Sequence, residues 1–199
     1  MNVVRMRMNS DLMQIIKKMA IAAQIGGRSE VRKVEDRIEN LKEDQLAGQI
    51  GECGLHLLVY DDITQYVCRR ERMNADKHKG DGGSDLDELP WDIKTSVMRD
   101  CNDPMTYRLL VRPRERHKDF IYILGLVEDI NIDEPTLIMP GWCHEREIPG
   151  HTHFGGKFDG AHVLHANALH PMEEIQNFIY QFRMESMISG YNVPPEISS

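Results

Sequence analysis

The chain has 199 residues, of which 41% are hydrophobic and 28% are charged, and its net charge is -8. This length predicts one compact domain with its own core, and no apolar run reaches the roughly 20 residues that would cross a bilayer. The N-terminus lacks the apolar core of a signal peptide, so we expect no membrane partner and an intracellular, cytoplasmic location.

The negative charge is concentrated towards the C-terminus. Residues 119–199 contain 3 Lys/Arg against 12 Asp/Glu, whereas residues 61–118 contain 12 of each. Local basic patches decide contacts with phosphate, so the overall charge does not exclude a nucleic-acid partner. The four cysteines are scattered singly, which indicates reduced thiols rather than a disulfide framework.

Two helices are predicted for an N-terminal arm, residues 1–45. Ser10 can cap the first helix, whose apolar residues keep helical spacing as far as Ala23. The second follows Ser29 and has a narrow apolar stripe among dense charges. This stripe can pack on the first helix, forming a helical hairpin, or on a second copy of the chain.

Residues 46–60 continue as a helix that is apolar on nearly all sides and should lie against a sheet. Glu52 lies in the middle of this helix. A carboxylate there is costly unless a metal ion or another cation compensates its charge. The alternative is that Glu52 occupies the one solvated edge of the helix.

The rest of the chain predicts strands and one further helix. Pro171 can begin this last helix, and residues 143–170 show little periodicity and predict a long irregular excursion. Strands are predicted at 63–68, 84–86, 91–95, 107–111 and 120–127, and an edge strand is predicted at 136–139.

Two basic segments are candidates for contacts with phosphate. One follows the predicted strand 63–68, and the other joins the strands 107–111 and 120–127. The basic residues of the two segments are Arg69, Arg70, Arg72, Lys77, Lys79, Arg112, Arg114, Arg116 and Lys118. For the second segment, a solvated hairpin tip is an equally good interpretation.

Asp85 follows a glycine-rich turn, and Asp92, Ile93 and Lys94 come a few residues later. In an extended segment, Asp92 and Lys94 would point to one face while Ile93 turns into the core. Carboxylate oxygens suit Mg²⁺, which keeps several waters and takes phosphate oxygens in its remaining positions. These residues therefore indicate chemistry on a phosphodiester.

The order of these residues resembles that in the PD-(D/E)xK nuclease superfamily, to which many restriction endonucleases belong. The resemblance implies that Asp85 and Asp92 bind the metal ion and that Lys94 positions or activates the attacking water. It also implies that Glu52 completes the metal shell and that Ile93 lends its backbone carbonyl. Asp87 remains an alternative to Asp85 as the first metal ligand.

The resemblance covers residues 46–127, with Ser84 in place of the proline that usually precedes the first aspartate. It implies an α/β, restriction-endonuclease-like fold, in which helices flank a central mixed β-sheet. The nuclease-like domain would comprise residues 46–199, including the irregular excursion and the C-terminal helix.

The implied function is hydrolysis of DNA by a Mg²⁺-dependent nuclease, with Mn²⁺ able to substitute and endonuclease action favoured over exonuclease action. The resemblance also implies a homodimer and a place in a virus or mobile element, with a host-cell location in the viral case. The N-terminal helices, with their apolar stripe, are the candidate contact between the two copies. One alternative is a protein of the same fold that binds nucleic acid or acts as a scaffold without cleaving.

A second alternative is an interaction module stabilised by zinc. Its candidate ligands are Cys143, His144, His151, His153, His162, His165 and His170. A Cys/His set can hold structural zinc, but no paired Cys-x₂-Cys or His-x₃-His spacing occurs here, which favours a chance cluster.

Overall fold

The computed structural model describes residues 3–23, 35–75, 84–99, 103–150 and 160–189. These residues form a mixed α/β fold. Its helices are α1 (Ser10–Ala23), α2 (Glu35–Tyr60), α3 (Thr64–Ala75) and α4 (Met172–Ser189). Its strands are β1 (Val4–Arg7), β2 (Trp91–Val97), β3 (Arg108–Val111), β4 (Ile121–Glu128), β5 (Thr136–His144) and β6 (His162–His165).

The main sheet has four strands in the order β1-β5-β4-β2. Strand β2 runs parallel to β4, and the other two pairings are antiparallel. The predicted mixed sheet is therefore confirmed. Strands β1 and β2 form its opposite edges, which places the Asp92–Lys94 segment on an edge strand.

Side chains alternate along β4 between two hydrophobic cores. Ile123 and Val127 belong to the core that includes α1, α2 and α4, whereas Tyr122, Leu124 and Leu126 belong to a second core with β3 and β6. The paired strands β3 and β6 form a separate two-stranded sheet over this second face. The four-stranded sheet is therefore covered on both faces.

Two glycines allow α2 to lie close to the sheet. A β-carbon on Gly51 would overlap the hydroxyl group of Thr95, and one on Gly125 would lie 3.1 Å from the same oxygen. Ile93 and Thr95 therefore face α2, as expected for alternate residues of β2. Helix α1 packs on α2 within the chain. The side chains of the predicted apolar stripe after Ser29 lie outside the described residues, so its packing partner stays a prediction.

The predicted strand at 63–68 is wrong, because these residues lead into helix α3. The Asp62 carboxylate accepts hydrogen bonds from the backbone N–H of Thr64 at 3.0 Å and from its hydroxyl at 2.9 Å, which caps the helix. Tyr66, Arg69 and Arg70 are the buried residues of α3 and have helical spacing. Packing on one face thus overrides the β-propensity of this segment.

The predicted strand at 84–86 is also wrong. The Ser84 hydroxyl lies 2.7 Å from the carbonyl of Leu86, 2.6 Å from that of Leu89 and 3.1 Å from that of Trp91. These contacts close residues 84–91 into a compact loop beside β2. A serine hydroxyl can bond to nearby backbone groups, and the backbone then does not need a neighbouring strand.

Strand β5 is longer than the predicted 136–139 and lies inside the sheet rather than at its edge. Its register with β4 shifts between Leu124 and Leu126, opposite Pro140, and the pairing with β1 ends at Met139. A proline is tolerated at this irregularity because no regular ladder bond is required there.

Some other features of the structure differ from the predictions, and some predicted residues fall outside the part of the chain that is described. The excursion at 143–170 contains β6, so it is not irregular throughout, and β1 was not predicted. The proposed domain boundary at residue 45 falls inside the continuous helix α2. Lys77, Lys79, His151, His153 and the residues after 189 lie outside the described part of the chain.

Candidate functional site

Asp85 lies against the free edge of β2. Its backbone N–H donates to the Trp91 carbonyl at 2.8 Å, and its carboxylate accepts a hydrogen bond from the Ile93 N–H at 2.8 Å. His56 of α2 makes a 3.0 Å hydrogen bond to the Asp85 carbonyl. The loop that carries Asp85 is therefore fixed to both the strand and the helix behind it.

Asp92 and Lys94 lie on the face of β2 away from α2, as predicted. The Asp92 carboxylate is 2.7 Å from the Lys94 ammonium nitrogen. Asp92 is 5% exposed, and its neighbour Ile93 is buried in the core on the α2 side. The alternation of the strand thus produces a buried acid with a cation two residues away.

The carboxyl groups of Asp85 and Asp92 lie close enough for the ionisation of one to affect the other. Burial raises the pKa of Asp92 to about 8, and the negative charge of Asp85 adds to this effect. Burial also raises the pKa of Asp85, while the Ile93 N–H and the charge of Lys94 act in the opposite direction. The two acids therefore form a coupled pair that holds a proton near neutral pH.

Lys94 remains a cation despite its burial. Burial alone would lower the pKa of Lys94, but the carboxylates of Asp92, Glu115 and Asp85 outweigh it and raise the pKa above its usual value. A protonated lysine donates hydrogen bonds and stabilises negative charge, and it cannot accept a proton.

Asp85 and Asp87 have different partners. Asp87 pairs with Arg69 at 2.6 Å and also with Arg72, both on α3. Its carboxylate therefore anchors the loop to α3, while that of Asp85 turns towards Asp92. Asp85 is the acid that meets the Asp92–Lys94 pair.

Glu52 forms an ion pair with Arg70, and both side chains are largely enclosed. The cation that compensates the charge of Glu52 is thus supplied by the next helix. Arg69, which precedes Arg70 in α3, donates hydrogen bonds to the Ser84 carbonyl and to the Asp87 carboxylate. Arg69 and Arg70 are 6% and 7% exposed, so they are not the surface phosphate contacts that the sequence predicted.

The other predicted phosphate contacts within the described residues remain at or near the surface. Arg72 pairs with Asp87, Arg112 pairs with Glu115 at 2.9 Å, and Arg116 pairs with Glu145. The most exposed of the set are Arg114 and Lys118. Of these residues, Arg112 lines the same groove as Lys94.

An open groove of about 420 Å³ runs beside the later half of β2. Its basic lining residues are Lys94, Arg99, Arg108 and Arg112, and its acidic ones are Asp44 and Glu115. Arg108 begins the predicted basic segment 108–118, whereas Arg99 was not predicted as a contact, because it stands alone in the sequence. Arg99 lies just after β2 and Arg108 lies at the start of β3. The groove that they line forms where the two sheets pack together, so their positions in the sequence do not show that they share a surface.

The acids of this site can be compared with what a divalent cation requires. Asp85 and Asp92 bring two hard oxygen donors together, and a cation there would offset both the burial that raises the pKa of each acid and the charge of Asp85 that adds to the shift of Asp92. Among the described residues, no three His, Cys, Asp or Glu side chains are grouped closely enough to hold a metal ion. Mg²⁺ needs only one or two protein carboxylates when water and phosphate oxygens complete its shell, so the pair fits Mg²⁺.

The predicted zinc ligands are dispersed where they are described. Burial raises the pKa of the Cys143 thiol to about 12, which disfavours the thiolate that zinc requires. His162 bonds to the Pro149 carbonyl at 2.9 Å, and His170 bonds to Glu147 at 2.9 Å. These side chains have local partners of their own.

Comparison of the chain with protein-family models, with curated proteins and with solved structures finds no match. None of the helices in the described ranges combines the length and the hydropathy of a membrane span. The fold and the geometry of the site therefore carry the functional inference.

Proposed function

We propose that this protein is a metal-dependent nuclease of the PD-(D/E)xK type that hydrolyses DNA phosphodiester bonds. The observation that carries the proposal is that the Asp85 carboxylate is held on the Ile93 N–H, between Asp92 and Lys94, while the Lys94 ammonium group pairs with Asp92. Two acids from separate segments and a lysine two residues after the second acid meet at one edge of a mixed sheet. DNA as the substrate comes from the resemblance of this motif to known nucleases.

The architecture supports the same proposal. The motif strand lies at the edge of a four-stranded mixed sheet, with a long helix on one face. A restriction-endonuclease-like fold needs both features. The basic groove beside Lys94 adds support, because a sugar-phosphate strand could lie along it with one phosphate next to the acids.

Asp85 and Asp92 would hold Mg²⁺, with the Ile93 carbonyl as a third oxygen donor. When bound, Mg²⁺ would polarise the scissile phosphate and lower the pKa of a coordinated water. Lys94 is protonated, so its role is to stabilise charge on a phosphate or attacking oxygen and to orient the water. Asp92 has to lose its proton before it can act as a ligand, which links metal binding to proton release.

The test compares the purified protein with Asp92→Asn and Lys94→Met on linear, circular, branched and single-stranded DNA with Mg²⁺ or Mn²⁺. We expect each substitution to lower the cleavage rate at least about 100-fold. Glu134→Gln serves as a control, because Glu134 pairs with Arg7 beside the opposite edge of the sheet. Equal cleavage by all four proteins would refute the proposed site.

A protein of the same fold that binds nucleic acid without cleaving it is the second candidate. It is favoured by the Glu52–Arg70 ion pair, because Glu52 is the helical acid that the resemblance assigned to the metal and its carboxylate is bound to Arg70 instead. Binding of DNA without cleavage of any of the four substrates, with either metal, would select this candidate over the nuclease.

A further inference from the structure

Glu115 is held in a fixed position between strands β3 and β4. It ends a short turn, Pro113–Glu115, and its carbonyl accepts a hydrogen bond from the Tyr122 hydroxyl at 2.7 Å. The same hydroxyl accepts a hydrogen bond from the His117 N–H at 2.8 Å. Tyr122 is fully buried and lies opposite Asp92 in the pairing of β2 with β4. The backbone of Glu115 is thus attached to the strand next to the acidic pair.

The Glu115 carboxylate lies between two cations at the groove. One oxygen is 3.3 Å from the Lys94 ammonium nitrogen, and the other is 2.9 Å from a guanidinium nitrogen of Arg112. The side chain is 27% exposed, so these contacts are partly shielded from water. A single acid therefore fixes two of the basic side chains that line the groove.

We propose that Glu115 is a positioning residue of the active site. It holds the Lys94 ammonium group beside the groove when Asp92 binds the metal ion. The inference rests on the proposed function. Lys94 has two close carboxylate partners, and the nearer one, Asp92, is a proposed metal ligand. With the oxygens of Asp92 engaged elsewhere, Glu115 remains as the partner that keeps Lys94 in place.

A merely structural role predicts something different. An ion pair at this exposure contributes little to stability, so its loss would leave the catalytic rate near that of the wild type. Misplacement of a catalytic cation by about 1 Å can instead cost up to about 100-fold in rate. The two roles therefore differ in kcat, and substrate binding, which involves the whole groove, changes less.

The experiment measures kcat and KM for cleavage by the wild type, Glu115→Gln, Glu115→Asp and the control Glu134→Gln. Glu134 matches Glu115 in exposure and also pairs with an arginine, but it lies far from β2 in the sheet. We expect Glu115→Gln to lower kcat about tenfold or more with KM changed less than about threefold, and Glu115→Asp to restore part of the loss. A wild-type kcat in Glu115→Gln, or a change in KM alone, overturns the inference and leaves the nuclease assignment standing.

A second measurement does not depend on cleavage. Thermal midpoints are compared for Glu115→Gln, Lys94→Met and the double variant. If the two side chains interact, the double variant loses less than the sum of the single shifts, by about 1 °C. Additive shifts overturn the proposed contact. Non-additive shifts in a wild-type protein that cuts no DNA would instead refute the nuclease function and, with it, the catalytic role of Glu115.

Discussion

The carboxylate of Asp85 accepts a hydrogen bond from the backbone N–H of Ile93 at 2.8 Å, across the free edge of β2. An acid from the preceding loop thus takes the place of a neighbouring strand. The charge of the same carboxyl group, together with burial, raises the pKa of Asp92, so one side chain both closes the sheet edge and acts on the second acid. These two roles can be separated by mutation.

Asp85→Asn should abolish cleavage and stabilise the fold. Asparagine keeps an oxygen acceptor for the Ile93 N–H but removes the buried charge that raises the pKa of Asp92, so we expect a gain of about 1 kcal/mol in the free energy of unfolding. Asp85→Ala should also abolish cleavage but destabilise the protein, because it leaves that N–H unpaired. Urea unfolding measures the difference, and equal stability of the two variants would contradict the assigned hydrogen bond.

The stability of the wild type should fall between about pH 6.5 and pH 8. The folded state keeps a proton on Asp92 up to about pH 8, whereas the unfolded chain releases it near pH 4, so rising pH favours unfolding by up to about 1.4 kcal/mol per pH unit. Burial lowers the pKa of His56 to about 4, and this group has the opposite effect between pH 4 and 6.5. The net loss should therefore appear above pH 6.5.

Denaturant titrations at several pH values test this dependence. Asp92→Asn, which cannot titrate, should remove the fall above pH 6.5. Added Mg²⁺ should reduce the fall in the wild type, because a bound cation replaces the proton. A wild type and an Asp92→Asn variant with parallel pH profiles would show that Asp92 ionises normally.

Glu52 and Arg70 should depend on each other for stability. Removing one partner takes the ion-pair partner away from a largely buried charge, so Glu52→Gln and Arg70→Met should each cost about 3 kcal/mol in the free energy of unfolding. The double variant should cost less than the sum of the two. The exposed pair of Glu134 with Arg7 is the reference, and Glu134→Gln should cost no more than about 1 kcal/mol.

Arg99 and Arg108 should contribute to DNA affinity through phosphate contacts. Each substitution by alanine should weaken binding about equally for different sequences and reduce the salt dependence of log K by about 1. Arg5→Ala and Arg7→Ala are matched controls, because both arginines form ion pairs and lie on the opposite edge strand, β1. Fluorescence anisotropy with metal omitted measures binding alone. Equal losses in the controls would point to nonspecific attraction rather than to the groove.

Two glycines of α2 should respond oppositely to alanine. Gly51→Ala would force a β-carbon into the Thr95 side chain and should cost about 1 to 3 kcal/mol in the free energy of unfolding. Gly48 has open space around it, so Gly48→Ala should stabilise by about 0.5 to 1 kcal/mol through helix propensity. In a Thr95→Ala background the penalty at Gly51 should shrink, since the hydroxyl is the nearest atom.

Apolar patterns in the sequence were sufficient to place α1, α2, β2, β4 and α4. Apolar residues with helical spacing indicated α1 and α4, whereas residues 46–60 of α2 and strand β4 are apolar on nearly all sides because packing encloses them. The same alternation correctly assigned Asp92 and Lys94 to one face of β2 and Ile93 to the other. Where the periodic signal was short or mixed, as at 63–68, tertiary packing and the Asp62 cap decided in favour of a helix.

The partners of the charged residues could not be read from the chain. Whether Glu52 faces a metal ion or Arg70, and whether Asp85 or Asp87 meets Asp92, depends on how α2, α3 and the loop beside β2 pack together. The sequence by itself determined that a helical acid, two aspartates and a lysine exist in a suggestive order. Only the tertiary structure decided which of them meet, because charges select partners through distance and burial, which sequence spacing does not encode.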